Sequence, residues 1–478
     1  MDLKKPSETA KKIVPAVLAG VLLFTGGMLA GRQVLPPASA DGSDKISKIQ
    51  NLLENNWYFG KDKENLDTEL VDKALHGMVN FEEDPHTSYL DQETAKAFTT
   101  SLSGSNVGVG FQFFKNRDGH VTVSQVFLDS PAEKGGLKTG DVITKIDGFD
   151  TAAKENDEIV SYIKSKDSKE VTLEVSRNGQ TETLKVVPGS YDLTVSASTD
   201  GNTGLIALNR FAENSGKHFN QAVKKIKDSG AKNLILDLRD NTGGYVKAAQ
   251  EVASSLLPAD SVVFVEKMAD GSVNEFKTSR QFSQTEFDNI IILQNQNTAS
   301  ASEILIGALK DLLPEGTVTT VGTNTYGKGT EQTAVPFEDG TSLKYTIAEW
   351  VTPNGTSINQ VGFAPDVEVP DPDVITASYM VFDEGTVIEP DTVHANAAPV
   401  QIFLDYLGYP VERKDTYFAP SSSEALKTFQ SEHGLEATGS VDKATFDALV
   451  SEVGFKLNED RISMDTQYQK AKSLLEGK

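Results

Sequence analysis

The spacing of apolar positions changes period several times along the chain, and each change marks an element or domain boundary. Between residues 45 and 102 apolar side chains recur at helical spacing: Ile46, Ile49, Leu52 and Leu53, then Leu70, Val71, Leu75, Met78 and Val79. Asp84-Pro85 breaks the second run, because proline disfavours a helical conformation in the residue before it. From 104 to 190 the pattern becomes short β-rich runs at 121–123, 142–146, 171–175 and 184–187, opened by glycines, with one helical run at 157–163. Residues 200–370 alternate strand and helix: 204–208, then 217–228 with Phe219, Val223 and Ile226 inward, a buried strand at 233–238, helix 248–257, strand 290–293 and helix 301–313. Such alternation predicts an α/β domain. Residues 371–397, acidic and rich in Pro and Asp, read as a linker. Helical runs at 400–407, 422–432 and 442–450 predict a compact all-α unit over 398–453, and polar residues 454–478 predict a loose tail.

The N-terminus adds a membrane question. Lys4, Lys5, Lys11 and Lys12 precede an uncharged run at 13–31, which Arg32 closes. That run is long enough to span a bilayer, and the lysines place residues 1–12 in the cytoplasm. A cleaved signal peptide is the alternative, since Ala38-Ser39-Ala40 has the form of a cleavage site. Either way, the remainder, starting with a Pro/Ala/Ser/Gly linker at 32–44, lies outside the cytoplasm: as a single-pass membrane protein, or in secreted form if cut after Ala40.

Composition narrows the chemistry. A chain of 478 residues is too long for one core, and 38% hydrophobic with 24% charged residues reads as globular. The net charge of −24 argues against nucleic-acid binding, which needs a basic face. There is no cysteine, so neither a disulfide framework nor a cysteine nucleophile is available. The six histidines show no HExxH or other paired metal-ligand spacing, so a metal site is not expected.

Three short stretches carry candidate chemistry. In the first, the strand at 290–293 runs through a polar loop into a helix at Ser300-Ala301-Ser302-Glu303. A serine there sits beside free helix N–H groups that would stabilise an oxyanion. The same residues equally form a capping box, with Ser300 as cap and Glu303 returning the bond. The second stretch is Thr325-Tyr326-Gly327-Lys328-Gly329-Thr330-Glu331-Gln332. A desolvated lysine can act as general base, and if this segment is extended, Lys328, Thr330 and Gln332 share one face while Glu331 points away. A solvated loop lysine remains the plain reading. In the third, Leu236-Asp237-Leu238-Arg239-Asp240-Asn241-Thr242-Gly243-Gly244, a buried strand ends in a Gly-Gly loop, either a second source of oxyanion donors or an ordinary turn.

Taken together and in order, these stretches resemble the carboxy-terminal processing, or tail-specific, serine proteases over residues 45–370. The likeness includes Asp84-Pro85-His86-Thr87-Ser88-Tyr89-Leu90, Ser130-Pro131-Ala132-Glu133, Leu236-Asp237-Leu238-Arg239, Ser300-Ala301-Ser302-Glu303, Tyr326-Gly327-Lys328-Gly329-Thr330, Thr352-Pro353-Asn354-Gly355 and Gly362-Phe363-Ala364-Pro365-Asp366. The resemblance implies a Ser–Lys dyad of Ser300 and Lys328, with Gln332 beside the lysine and the N–H groups of Gly243 and Ala301 as oxyanion hole. Residues 104–190 resemble a PDZ domain inserted in the protease core of 191–370, with Val107-Gly108-Val109-Gly110-Phe111 as the loop that receives a chain's terminal carboxylate. Backbone N–H groups at such a turn capture carboxylates while the peptide adds as a strand. Residues 398–453 resemble a three-helix peptidoglycan-binding domain, through Leu407-Gly408-Tyr409 and Gly439-Ser440-Val441-Asp442 among others.

The expected fold is therefore multidomain: a transmembrane helix, a helical region at 45–103, an α/β core with an inserted β-rich PDZ module, and a small all-α C-terminal domain. The expected activity is membrane-anchored serine endopeptidase action on substrate C-terminal tails, without metal or nucleotide. Expected partners are protein tails, peptidoglycan, the membrane through the N-terminal helix, and a second copy through the 45–102 helices. Two rivals stand beside it: a silent PDZ and wall-binding scaffold, and a Ser–His–Asp hydrolase using a distant histidine such as His218.

Overall fold

A computed structural model describes residues 42–166 and 168–476. The expected membrane helix at 13–31 and the cleavage site after Ala40 lie outside these residues; among the described residues no helix is long and apolar enough to cross a membrane. The chain divides into two compact units, with the boundary after Asp91.

The first unit holds helices Gly42–Asn56 and Leu66–Met78 and the short strand Ser88–Leu90. The second helix ends at Met78, before the Asp84-Pro85 break. Leu66 is buried, whereas Ile46, Ile49 and Leu52, at helical spacing, are exposed along one stripe.

The second unit opens with helix Gln92–Ser103. A five-strand ladder follows in the order Phe111–Lys115, Val121–Val126, Val142–Ile146, Val171–Arg177 and Gln180–Val186. Val121, Val123, Leu173 and Val175 alternate into a core closed by Ile159 from helix Asn156–Ser165, and a register shift after Ile143 lets both Ile143 and Ile146 join it. Strands Ser105–Gly108 and Gly189–Asp192, at the two ends of this module, pair antiparallel, so it enters and leaves the core at one place.

The protease-like core contains β1 (Val195–Asp200), β2 (Thr203–Leu208), α1 (Ser215–Asp228), β3 (Asn233–Asp237), α2 (Val246–Ser254), β4 (Val262–Met268), β5 (Val273–Lys277), β6 (Asn289–Gln294), α3 (Ala301–Leu312), β7 (Val318–Gly322), β8 (Thr330–Pro336), β9 (Ser342–Val351) and β10 (Val367–Glu368). The main sheet runs β1-β2-β3-β6-β7-β10, parallel from β2 onward. β3 and β6 read as near-continuous apolar runs because both faces are covered. One face packs on α1, α2 and α3 through Leu234, Leu236, Ile290 and Ile292. In-register pairing of Asp237 with Leu293 puts the loops after β3 and β6 side by side at the carboxyl edge, where open α/β sheets bind ligands. A second sheet joins β9 to β4 and β8, and β4 to β5.

The C-terminal region departs from expectation in two ways. The 371–397 stretch is not all linker: Phe382 and Ile388 are buried in the same cluster as Val400, Phe429 and Phe446 of the helical unit. That unit adds to its helices a two-residue ladder of Thr392–Val393 with Tyr417–Phe418. The expected loose tail is ordered helix. Lys443–Met464 continues well past residue 453, and Thr466–Glu476 lies on the second face of the main sheet, where Ala471 is fully buried among Ile235, Ile291, Leu293 and Val321. Arg239, at the end of β3, fixes the junction with bonds to both oxygens of Asp465 at 2.7 and 2.8 Å. The long helix also meets the β-rich module, through Arg117 with Glu452 and Glu459 and through Arg461 to the Ser124 carbonyl. The polar surface composition concealed a short apolar stripe that a bare sheet face requires.

Ala471→Asp would bury an unpaired charge on that face and is expected to destabilise the protein by about 3 kcal/mol or more. Denaturant unfolding checks this; an unchanged midpoint would mean the helix does not cover the sheet.

Candidate active site

The loop after β6 reverses the chain into α3 within a few residues, and Ser300 occupies the turn with φ 56° and ψ −116°. A positive φ in a non-glycine residue costs roughly 1–3 kcal/mol and persists only where neighbours impose it. Here the neighbouring β3 loop imposes it. Thr298 donates to the Leu238 carbonyl at 2.8 Å, Ala299 N–H to the Asn241 carbonyl at 3.0 Å, and the Ser302 hydroxyl to the same carbonyl at 2.9 Å. Ser302, for which the sequence offered no role, is therefore a buried tie between α3 and the β3 loop.

Glu303, fully buried one turn into α3, does more than return a cap bond. Its carboxylate accepts from Ser300 N–H at 2.8 Å, the Thr325 hydroxyl at 2.6 Å, Gly327 N–H at 2.7 Å and Lys328 N–H at 2.9 Å. One side chain thus ties the serine turn to the lysine loop. Burial pushes this carboxyl above its ordinary range, against the pull of those donors. Tyr326 N–H to the Thr298 carbonyl, 3.0 Å, adds a direct backbone link between the loops.

The glycines around Lys328 are explained by close backbone approach. A Cβ on Gly327, itself at φ 86°, would lie 2.7 Å from Gly362 N, and one on Gly329 would lie 2.6 Å from the Asn359 Cβ. Trp350 Nε1 donates to the Lys328 carbonyl at 3.1 Å. Gln332 spends its NH2 group on the Thr330 and Thr346 hydroxyls at 2.9 and 3.1 Å, which leaves Oε1 as its remaining hydrogen-bonding atom.

Against the expected alternation, Glu331 lines the same cleft as Lys328 and Gln332. The β8–β9 register shifts beside it, between Glu331 and Gln332, where β9 carries the extra residue Ile347. Glu331 is also apposed to buried Glu266 of β4; burial and that second carboxyl push it up to about 8, while Lys328 pulls it down.

Ser300, Lys328, Gln332 and Gly243 line one cleft of about 910 Å³. A Cβ on Gly243, which has φ 97°, would meet the Ser300 Cβ at 2.9 Å and Ala301 N at 3.0 Å, so only glycine fits there. Ala301 is the first residue of α3, where a backbone N–H has no intrahelical acceptor. The Gly243 N–H, in contrast, is donated to Asn241 Oδ1 at 2.9 Å, so an oxyanion would have to displace or share that bond. His218 does not line the cleft; its Nδ1 faces Asp192 at 3.5 Å beside the entry to the β-rich module. Among the described residues no cluster of His, Cys, Asp or Glu is placed to hold a metal ion.

In the β-rich module, Val107 and Gly108 belong to the entry strand, paired with Ser190 and Gly189. Val109 and Gly110 turn away with their carbonyls accepting from Ala132 and Phe127. Gly110 packs where a Cβ would lie 2.4 Å from that of Ser130. Phe111 then starts the edge strand of the sheet, whose outer side is the position a peptide strand would occupy.

Comparison with known proteins agrees with this architecture. Residues 202–369 match the model of peptidase family S41, residues 107–187 that of a PDZ domain, and residues 394–449 that of a putative peptidoglycan-binding domain. The chain is 31% identical to a probable CtpA-like serine protease of Staphylococcus haemolyticus, across 95% of this chain and 92% of that one. It is 29% identical to the carboxy-terminal processing protease CtpB of Bacillus subtilis, across 96% and 98%. Among solved structures, a photosystem II D1 C-terminal processing protease aligns with 24% identity and a TM-score of 0.38, covering 68% of this chain and 92% of that one.

Replacing Glu303 by Gln puts an NH2 group against N–H donors in a buried site. The expected result is a loss of about 1–3 kcal/mol of stability together with loss of peptidase activity. Paired unfolding and cleavage assays check this; normal activity in Glu303→Gln would show that the clasp does not set the site.

Proposed function

The chain belongs to peptidase family S41, the carboxy-terminal processing serine proteases, and from that premise we propose a membrane-anchored, extracytoplasmic endopeptidase whose PDZ domain holds a substrate's C-terminal tail while a Ser300–Lys328 dyad cuts the backbone. One observation carries the dyad above the others. Ser300, Lys328, Gln332 and Gly243 line a single cleft, with Gly243 packed directly on Ser300 and on the Ala301 nitrogen.

In this reading the Ser300 hydroxyl attacks the scissile carbonyl carbon, and the neutral amine of Lys328 takes its proton. The oxyanion is held by the Ala301 N–H at the start of α3 and by the Gly243 N–H, which releases Asn241. Lys328 then gives its proton to the leaving amine, and water repeats the sequence on the acyl-enzyme. Gln332 orients the lysine amine through Oε1 without adding charge. The strained turn at Ser300 is held by bonds to neighbouring loops rather than to substrate, so the nucleophile is held ready before binding.

Location and partners follow from the flanking segments. The basic residues 4–12 and the uncharged run at 13–31 support an anchor with the catalytic part outside the cytoplasm. The match at 394–449 supports contact with peptidoglycan, and the exposed stripe of Ile46, Ile49 and Leu52 supports pairing of two copies. A His218-based hydrolase is disfavoured, because that ring faces Asp192 away from the cleft. A silent scaffold is disfavoured by an intact dyad.

The test uses an unfolded reporter that ends in an apolar C-terminal tail. Ser300→Ala and Lys328→Ala are each expected to lower its cleavage at least about 10³-fold while folding is kept, and His218→Ala to stay near wild type. Wild-type rate from either dyad variant, or a dead His218→Ala, overturns the assignment. Removing the reporter's tail is expected to raise KM with little change in kcat, as loss of a remote binding contact should; unchanged KM counts against tail capture by the PDZ domain.

A further inference from the structure

Glu331, which lines the cleft, and the buried Glu266 of β4 are two carboxyls that the mechanism above does not use. β8, β9 and β4 lie side by side: Glu331 is opposite Ala348, and Glu266 is opposite Trp350, two residues further along β9. Glu331 and Glu266 therefore lie on the same face, on either side of a strand that presents the small Ala348 between them. Glu266 is buried, and among the described residues the donor to its carboxylate is Asn274, through a long bond of 3.4 Å. The Oε2 of Glu331 is buried without a donor. Two carboxylates that face each other with no donor between them bond only when one holds a proton.

We propose that Glu331 and Glu266 form a proton-sharing carboxyl pair that keeps at most one negative charge beside Lys328, so that the lysine can reach the cleavage step as a neutral amine. The proposal rests on Lys328 being the base. Glu266 and Lys328 are the charges that act on Glu331. The other cations lining the cleft are Lys96, Arg210 and Lys344; Arg210 donates to the Ser101 carbonyl, and Lys344 lies over the Phe98 ring. Across β9, Glu349 is bonded to Ser357. On β5, Glu275 pairs with Lys277.

The consequence is directional. While the pair holds its proton, Lys328 faces one shared charge. When the pH rises through about 8 and Glu331 ionises, a second negative charge appears and favours the ammonium form of Lys328. The pair therefore opposes the gain in activity that alkaline pH would otherwise give. Stability has the same origin. The folded chain binds this proton more tightly than the unfolded chain, whose carboxyl titrates near 4.5. That contribution is fully present below 4.5 and is lost as the pH rises through about 8.

Positioning residues of this kind are separated from merely structural ones by a pH profile. In the full chain, kcat/KM is measured from about pH 6 to 10 for wild type, Glu331→Gln and Glu266→Gln. The ratio of variant to wild type should rise as the pH passes through about 8, where Glu331 ionises in wild type and the variants lack the second charge. Wild type should also lose thermal stability between pH 5 and 8 by more than Glu331→Gln does. A flat ratio across the range in a folded variant, or a folded Glu331→Gln that is inactive at every pH, overturns the proposal. If Glu331→Gln does not fold, the ratio for Glu266→Gln decides it alone. Failure of the dyad is distinguished by Lys328→Ala, which would then keep activity; a dead Lys328→Ala with a flat Glu331→Gln ratio removes only the carboxyl pair.

Discussion

A single buried carboxylate holds the site together. Glu303 accepts from the N–H of Ser300 on one side and from Thr325, Gly327 and Lys328 on the other. These groups come from two loops that meet only because β6 and β7 are parallel neighbours. Without an acceptor the three N–H groups would be buried donors with no partner, each costing about 1–3 kcal/mol. The serine turn, the lysine loop and the first turn of α3 are therefore one cooperative unit.

That unit stands on a sheet whose two faces are covered by different parts of the chain. Helices α1, α2 and α3 cover one face from within the core, and Thr466–Glu476 returns from the C-terminus to cover the other. Arg239 joins the two arrangements, since it bonds both Asp237 at the end of β3 and Asp465 at the start of the returning helix. The loop that follows Arg239 carries Asn241 and Gly243. The far C-terminus thus supports the same strand end that supplies the floor of the cleft, and the neighbouring long helix carries the contacts to Arg117 and Ser124 of the β-rich module.

One carboxyl apposition gives the site a second titrating group. Glu331 lines the cleft beside Lys328 and meets Glu266, which comes from the strand on the other side of β9.

The amino-acid sequence by itself determined the domain types, the α/β order of the core, the strand–turn–helix setting of Ser300 and the glycine-flanked lysine. These depend on local periodicity and on residue types whose backbone needs are local. The tie made by Ser302, the reach of Glu303 to the lysine loop and the Glu331–Glu266 apposition were decided by tertiary structure alone. Their partners lie about 20 to 65 residues away and meet through strand pairing that no local window encodes. The returning C-terminal helix belongs with them. Its short apolar stripe around Ala471 is too weak to stand out in a polar segment, and only the uncovered face of the sheet makes it a helix with a place to pack.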